Sequence, residues 1–241
     1  MHRAFLTGLL AISAFLCGIA ADHYSLIHAT LSFLKIHPPR RSPPYLQPPG
    51  PQHAKERSQR LAYFRAVPGH ADVVMLGDSM TEQGEWAELL PGVRVLNRGI
   101  RWDTSADLLE RLDEVIFRKP KTVFLMIGVN DIRYGRSPEM VMENISKIVR
   151  RLDEVHIRTI LQSAVQIAPQ FNETTNSEVL ALNSRLQAFA RASGHIFLDI
   201  NSLVTKDGAL DPAFSADGMH LTPSTYLKWS AMVASTLADK G

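Results

Sequence analysis

Five short apolar runs alternate along the chain with longer segments in which apolar residues recur at helical spacing. The runs are "ADVVMLGD" (71–78), "VRVLNRG" (93–99), "KTVFLMIGVND" (121–131), "RTILQSAV" (158–165) and "HIFLDI" (195–200). Near-continuous Val, Ile and Leu suit strands covered on both faces, because a half-exposed strand would alternate with polar residues. Between the runs, Leu108, Leu109, Leu112, Val115 and Ile116 follow Asp103–Thr104, which reads as a helix cap. Met140, Met142, Ile145, Ile148, Val149 and Leu152 follow Pro138, and Val179, Leu180, Leu182, Leu186 and Phe189 make a third helical set. A helix over 54–67 precedes the first strand. A last one starts after Thr222, with Pro223 at a favoured first-turn position. Strand–helix alternation five times over predicts an α/β fold: a five-stranded, doubly wound parallel sheet with helices on both faces, a three-layer α/β/α sandwich.

Such sheets present their binding surface at the carboxyl ends of the strands. The small and polar residues of the chain collect there. Strand one ends in Gly77-Asp78-Ser79, strand two in Asn97-Arg98-Gly99, and strand three in Gly128-Val129-Asn130-Asp131. Beyond strand five, Asp217-Gly218-Met219-His220 precedes the final helix. In the flavodoxin-like strand order 2-1-3-4-5, Gly99, Ser79 and Asn130 would stand side by side.

These residue types suit nucleophilic catalysis. A serine hydroxyl needs a base to take its proton, and His220 is the candidate for Ser79. The imidazole needs a carboxylate on its other nitrogen. Asp217, three residues earlier, reaches it if the segment makes one turn. An attacked carbonyl becomes an oxyanion, for which the backbone N–H groups of Ser79 and Gly99 and the Asn130 side-chain amide offer three donors. A side chain at Gly99 is expected to obstruct the reacting carbon. Asp78 and Asp131 read as structural carboxylates that bind loop amides, and Trp86 and Trp229 as helix-face packing. Trp102 has two readings, narrowing an acyl pocket or offering a stacking face to a sugar.

The N-terminus differs in kind. Residues 4–21, "AFLTGLLAISAFLCGIAA", carry no charge and follow Arg3. As a helix this stretch would be about 27 Å long, against roughly 30 Å for a hydrocarbon core. Gly18 and Ala20 suit a signal-peptidase site. Residues 1–21 are therefore expected to be an export signal or a membrane anchor. "HPPRRSPPYLQPPGP" (37–51) holds seven of the 14 prolines, so 22–53 reads as a semi-rigid tether. Residues 54–241 then form the globular body, which is expected outside the cytoplasm, in a periplasmic or other extracytoplasmic place. A net charge of +2, with no basic stripe among aromatics, argues against a nucleic-acid partner. The single cysteine, Cys17, allows neither an internal disulfide nor a thiolate metal cluster, and the 9 His show no HExxH.

The four blocks "GDSM" around Ser79, "NRGI" around Gly99, "GVND" around Asn130 and "DGMH" ending at His220 resemble those of the SGNH hydrolases, the GDSL esterase/lipase family. The resemblance runs from about Ala71 to the C-terminus, and "HLTPSTYLKW" is similar to the family's last helix. It implies a flavodoxin-like sandwich, Ser79 as nucleophile, His220 as base and Asp217 as its orienter. The oxyanion hole would be Ser79, Gly99 and Asn130, and no metal or organic cofactor is needed. Met80 replaces the usual leucine. Arg101-Trp102-Asp103-Thr104 stands where relatives of the platelet-activating-factor acetylhydrolase type carry Gly-Gly-Asp-Thr. The expected activity is hydrolysis of small O-acyl esters through an acyl-enzyme, the substrate being an acetylated carbohydrate or envelope glycan, or a short-chain lipid ester. A lysophospholipase or thioesterase of the same family is the nearest alternative. A catalytically silent envelope binding module is the alternative from another class, opposed by the presence of Ser79, Asn130, Asp217 and His220 together.

Overall fold

The structure, a computed structural model, describes residues 50–239 apart from 68 and 172. The segments read as a signal or anchor and as most of the tether lie outside the described residues. Among the described residues, no helix is long and apolar enough to cross a membrane.

Five strands form one parallel sheet in the order β2-β1-β3-β4-β5. They are β1 (Val73–Gly77), β2 (Val95–Gly99), β3 (Thr122–Met126), β4 (Arg158–Gln162) and β5 (Ile196–Leu198). The apolar runs are continuous because the sheet has a core on each face. Val74 and Leu76 of β1 and Val123 and Leu125 of β3 enter one cluster, whereas Val73, Met75, Phe124 and Met126 enter the other. Alternate residues thus point to opposite helix layers. Each buried Val, Leu or Phe side chain contributes roughly 1.5–3 kcal/mol.

The helices that cover the sheet follow from capping and spacing. Helix α1 (Pro51–Ala66) precedes β1 and begins three residues earlier than the pattern suggests, because the last proline of the tether occupies its first turn. Thr104 caps α4 (Ser105–Glu110) through a capping box with Asp107. The set read as one helix after it is two, since the chain leaves helical geometry at Arg111 before α5 (Leu112–Phe117). Ser137 caps α7 (Pro138–Asp153), which buries Val141, Ile145, Ile148, Val149 and Leu152. In α8 (Glu173–Ser193), Val179, Leu182 and Leu186 are buried. Met140 and Leu180, assigned by periodicity to the apolar faces, are exposed instead. In the last helix, α10 (Pro223–Ala238), Trp229 is fully buried and meets Trp86 edge to face at 4.8 Å. Both indole N–H groups are satisfied, Trp86 by the Thr81 carbonyl and Trp229 by the Gln162 side chain.

Three shorter helices lie in the connections: α2 (Ser79–Glu82), α3 (Trp86–Leu89) and α6 (Val129–Arg133). A fourth, α9 (Asn201–Val204), leads into a two-stranded antiparallel pair, β6 (Thr205–Lys206) with β7 (Ala209–Leu210).

Candidate active site

Ser79 is the first residue of α2, directly beyond the end of β1. A backbone N–H in the first turn of a helix has no intrahelical acceptor, so that of Ser79 faces outward from the strand end. Asp78 caps the helix, its Oδ1 accepting the Met80 N–H at 3.0 Å. From the other side, the Tyr226 hydroxyl donates to the Met80 carbonyl at 2.7 Å.

His220 reaches this point from the loop before α10. Its Nε2 lies 3.0 Å from Ser79 Oγ and its Nδ1 lies 2.7 Å from Asp217 Oδ2. A carboxylate only accepts, so Nδ1 carries the ring proton and Nε2 is left to accept from the serine hydroxyl. The turn read from the three-residue spacing is present. Asp217 Oδ1 accepts the backbone N–H groups of His220 at 2.7 Å and Met219 at 2.9 Å. Burial works against ionisation of Asp217, but the hydrogen bonds from His220 and Met219 outweigh it and hold the carboxyl down at about 2. Ser215 Oγ accepts from Gly218 N–H at 2.9 Å, and the Ala168 N–H donates to the Gly218 carbonyl at 2.8 Å. Ala168, in the stretch that follows β4, therefore braces the segment that carries Asp217 and His220.

The expected oxyanion donors sit at adjacent strand ends, Gly77 of β1 pairing with Gly99 of β2 and with Met126 of β3. Asn130 lies in the first turn of α6 rather than on the end of β3. Gly128 makes that switch with φ of 127°, a conformation favourable only to glycine. The buried Asn130 amide donates to the Asp103 carbonyl at 3.1 Å, which uses one of its two hydrogens.

Two contacts define the setting of Gly99. Its N–H donates to Asn97 Oδ1 at 2.8 Å, so this donor is engaged. A Cβ at Gly99 would meet the backbone of α2, 2.6 Å from Glu82 Cα and 2.7 Å from Thr81 C. The close approach of α2 to β2 therefore requires a glycine here. Trp102 lies within the turn after β2, which the Asp103 N–H closes on the Ile100 carbonyl at 3.2 Å; its φ is 68° and it is about one-third exposed. Its ring meets His53 edge-on at 6.5 Å and the Arg133 guanidinium at 5.6 Å. Arg133 Nη1 in turn lies 3.5 Å from Asn130 Oδ1 and from Met219 Sδ.

Asp78 and Asp131 are both buried, as structural carboxylates should be. Asp131 accepts the Ser105 N–H and hydroxyl, each at 2.8 Å, and Arg136 at 2.9 Å. Among the described residues, Asp78 has no guanidinium partner. Burial, with the nearby Asp103 and Asp131 charges, pushes its carboxyl up to about 7.

Sequence reading missed the polar frame behind these residues. Asp103, read as part of a cap, is a buried carboxylate held by Arg111 at 2.7 Å and Arg57 at 2.9 Å. Asn97 stands in the "NRGI" block without an assigned role. Its Nδ2 donates to the Glu82 and Gly84 carbonyls at 2.9 and 3.0 Å, fastening α2 to β2. Its place two residues before a strand-end glycine was the available signal, since Asn side chains bond backbone N–H groups two residues on.

Comparison with known proteins agrees with this geometry. The family model of the GDSL-like lipase/acylhydrolase family matches residues 75–228. An N-acylneuraminate cytidylyltransferase of Streptococcus agalactiae serotype V is 30% identical over 161 residues, 66% of this chain and 37% of the relative. The chain thus matches little more than a third of that relative's length. The alpha2 subunit of platelet-activating factor acetylhydrolase IB from Gallus gallus is 28% identical over 166 residues, 65% of this chain and 72% of the relative. Among solved structures, a GDSL-like lipase from Bacteroides thetaiotaomicron shares the fold with a TM-score of 0.66 at 24% identity, over 75% of this chain and 96% of that one.

Proposed function

The chain belongs to the GDSL-like lipase/acylhydrolase family, and from that premise we propose that it is a serine esterase in which Ser79, His220 and Asp217 carry the reaction on small O-acyl esters. The observation that carries the assignment is the 3.0 Å approach of His220 Nε2 to Ser79 Oγ, with Asp217 on the far side of the ring.

Ser79 Oγ attacks the acyl carbon while its proton passes to His220 Nε2. The Asp217 carboxylate stabilises the imidazolium through the Nδ1–H. The oxyanion of the tetrahedral intermediate is received by the Ser79 N–H and the second hydrogen of the Asn130 amide. Gly99 joins them if its N–H turns from Asn97 to the substrate. Collapse releases the alcohol with the proton from His220 and leaves the acyl-enzyme. Water then attacks by the same route, giving up a proton to His220, and the acid departs as Ser79 recovers its hydrogen.

The first candidate substrate is an acetylated carbohydrate or envelope glycan. Its support is a relative named for a sugar, N-acylneuraminate, and the Trp102 ring, whose exposed part offers a stacking face beside Arg133. The second is a short-chain lipid ester, favoured by the likeness to a platelet-activating factor acetylhydrolase subunit. An apolar N-terminus followed by a proline-rich tether supports export, with the body held near a membrane outside the cytoplasm.

The test compares p-nitrophenyl acetate, butyrate and octanoate with O-acetylated oligosaccharides as substrates for the full chain and for Ser79→Ala. Turnover confined to the wild type, with covalent labelling by a fluorophosphonate lost in Ser79→Ala, supports the assignment. Equal turnover by the two proteins refutes it. A preference for octanoate over the acetylated sugars would move the substrate to lipid.

A further inference from the structure

Helix α1 lies outside residues 75–228, which carry the family match, yet it is bonded to the frame behind two of the expected oxyanion donors, Gly99 and Asn130. It docks chiefly through arginines. Phe64 is its one deeply buried large side chain, covered by the Arg98 guanidinium at 4.3 Å. Arg118 holds its C-terminal end, donating to the Val67 carbonyl at 2.6 Å and to the Phe64 carbonyl.

Two α1 side chains point the other way, toward the strand ends. Arg60 Nε donates to the Gly99 carbonyl at 2.6 Å. The same peptide's N–H, on Ile100, donates to the Gly77 carbonyl at 3.1 Å. Arg57 Nε donates to Asp103 Oδ1 at 2.9 Å, and Asp103 Oδ2 accepts from Arg111 at 2.7 Å. Arg111 Nη2 then donates to the Gly77 carbonyl at 3.1 Å and the Arg98 carbonyl at 2.8 Å. The Asp103 carbonyl takes the Asn130 amide. Both peptide planes flanking Gly99 are thus pinned, one by Arg111 and one by Arg60. The Asn130 amide is aimed by a residue that Arg57 anchors.

We propose that α1 is an integral part of the esterase site, with Arg57 and Arg60 as positioning residues for the oxyanion donors: Arg57 acts on Asn130 through Asp103, and Arg60 acts on the Gly99 loop directly. The proposal rests on the reading of Ser79, Gly99 and Asn130 given above. The physical reason is that oxyanion donors act by preorganisation, and a displacement of about 1 Å can cost around a hundredfold in turnover. A guanidinium suits the task because its planar donors hold a carbonyl or carboxylate in a fixed direction.

The experiment measures p-nitrophenyl acetate hydrolysis by the full chain, by Arg57→Gln and Arg60→Gln, and by each change combined with Asn130→Ala, folding being checked by circular dichroism. Each single change should lower kcat about ten- to hundredfold with KM within about twofold. In the Asn130→Ala background, Arg57→Gln should cost less than about twofold, because the group it positions is gone. Arg60→Gln should keep its full effect there. For Arg57, a merely structural role would lower activity equally in both backgrounds and would overturn its part of the proposal; for Arg60, a rise in KM as large as the fall in kcat would do so. So would folded single variants with kcat within about twofold of wild type. Should a glutamine variant unfold, Arg57→Met or Arg60→Met keeps the aliphatic packing without a donor and is judged by the same outcomes. A wild type that hydrolyses no ester would count against the reading of the site itself, whereas an active wild type with unaffected variants counts against α1 alone.

Discussion

The N–H of Gly99 lies 2.8 Å from Asn97 Oδ1, two residues back in the same strand. This bond places Gly99 first in the architecture and only then in the chemistry. Asn97 ties β2 to the carbonyl end of α2, and Gly99 lets the α2 backbone lie against the strand. The helix so held is the one that begins with Ser79. Gly99→Ala should therefore destabilise the fold by about 1–3 kcal/mol or more, because backbone rather than a flexible side chain must move. Thermal unfolding measures this. A variant as stable as wild type would mean that α2 is free to shift away from β2.

Asn130→Ala should lower kcat by about a hundred- to a thousandfold while changing KM little, since the oxyanion exists mainly in the transition state. The bond to the Asp103 carbonyl is lost as well, at a cost of about 1 kcal/mol in stability. Steady-state kinetics and unfolding of the same variant separate the two effects. A raised KM with unchanged kcat would remove Asn130 from the oxyanion site.

The sheet was legible because its cause is local. A strand buried on both faces must be apolar at successive positions, and β1 meets that condition throughout and β3 from Val123 to Met126. Ser79, Asn130, Asp217 and His220 were legible because small and polar residues at strand ends contrast with what precedes them. The short helices α3 and α6 were not, being shorter than the span over which periodicity can be counted. Nor was the arginine frame. Arg57 and Arg60 sit on a polar helix, where charge ordinarily means a solvated face. Their partners Asp103 and Gly99 are 46 and 39 residues away, contacts that only the folded chain specifies.

Asp217 has two duties, and they can be separated. Asp217→Asn keeps an oxygen for the backbone N–H groups of Met219 and His220 but removes the charge facing the ring. It should reduce kcat/KM by up to about ten-thousandfold, with the loop largely in place. His220→Ala should lose at least as much, because the base itself is gone. Because the Asp217 carboxyl is held at about 2, below its ordinary value of 3.8, it favours folding above the ordinary value. That contribution is lost only as pH falls through about 2. Loss of activity between pH 4 and 7 therefore does not come from its protonation. A pH–rate profile for wild type and Asp217→Asn checks the assignment. A twofold loss in the variant would leave His220 without need of its carboxylate.

Asp78 should give the opposite pH signature. Its carboxyl is raised from 3.8 to about 7, first by burial and then by the charges of Asp103 and Asp131, while one oxygen caps α2 through the Met80 N–H. Between those two values the folded chain binds a proton that the unfolded chain releases. Stability from this group is therefore fully present below about pH 4 and is lost as pH rises through about 7. Asp78→Asn keeps an oxygen acceptor for Met80 and cannot ionise. The two proteins should unfold at similar temperatures near pH 4, and the variant should be the more stable at pH 8. Unfolding followed at pH 4, 6 and 8 tests this directly. If wild type and Asp78→Asn change in parallel across that range, the carboxyl beside the nucleophile does not titrate there, and another buried group must account for any slope.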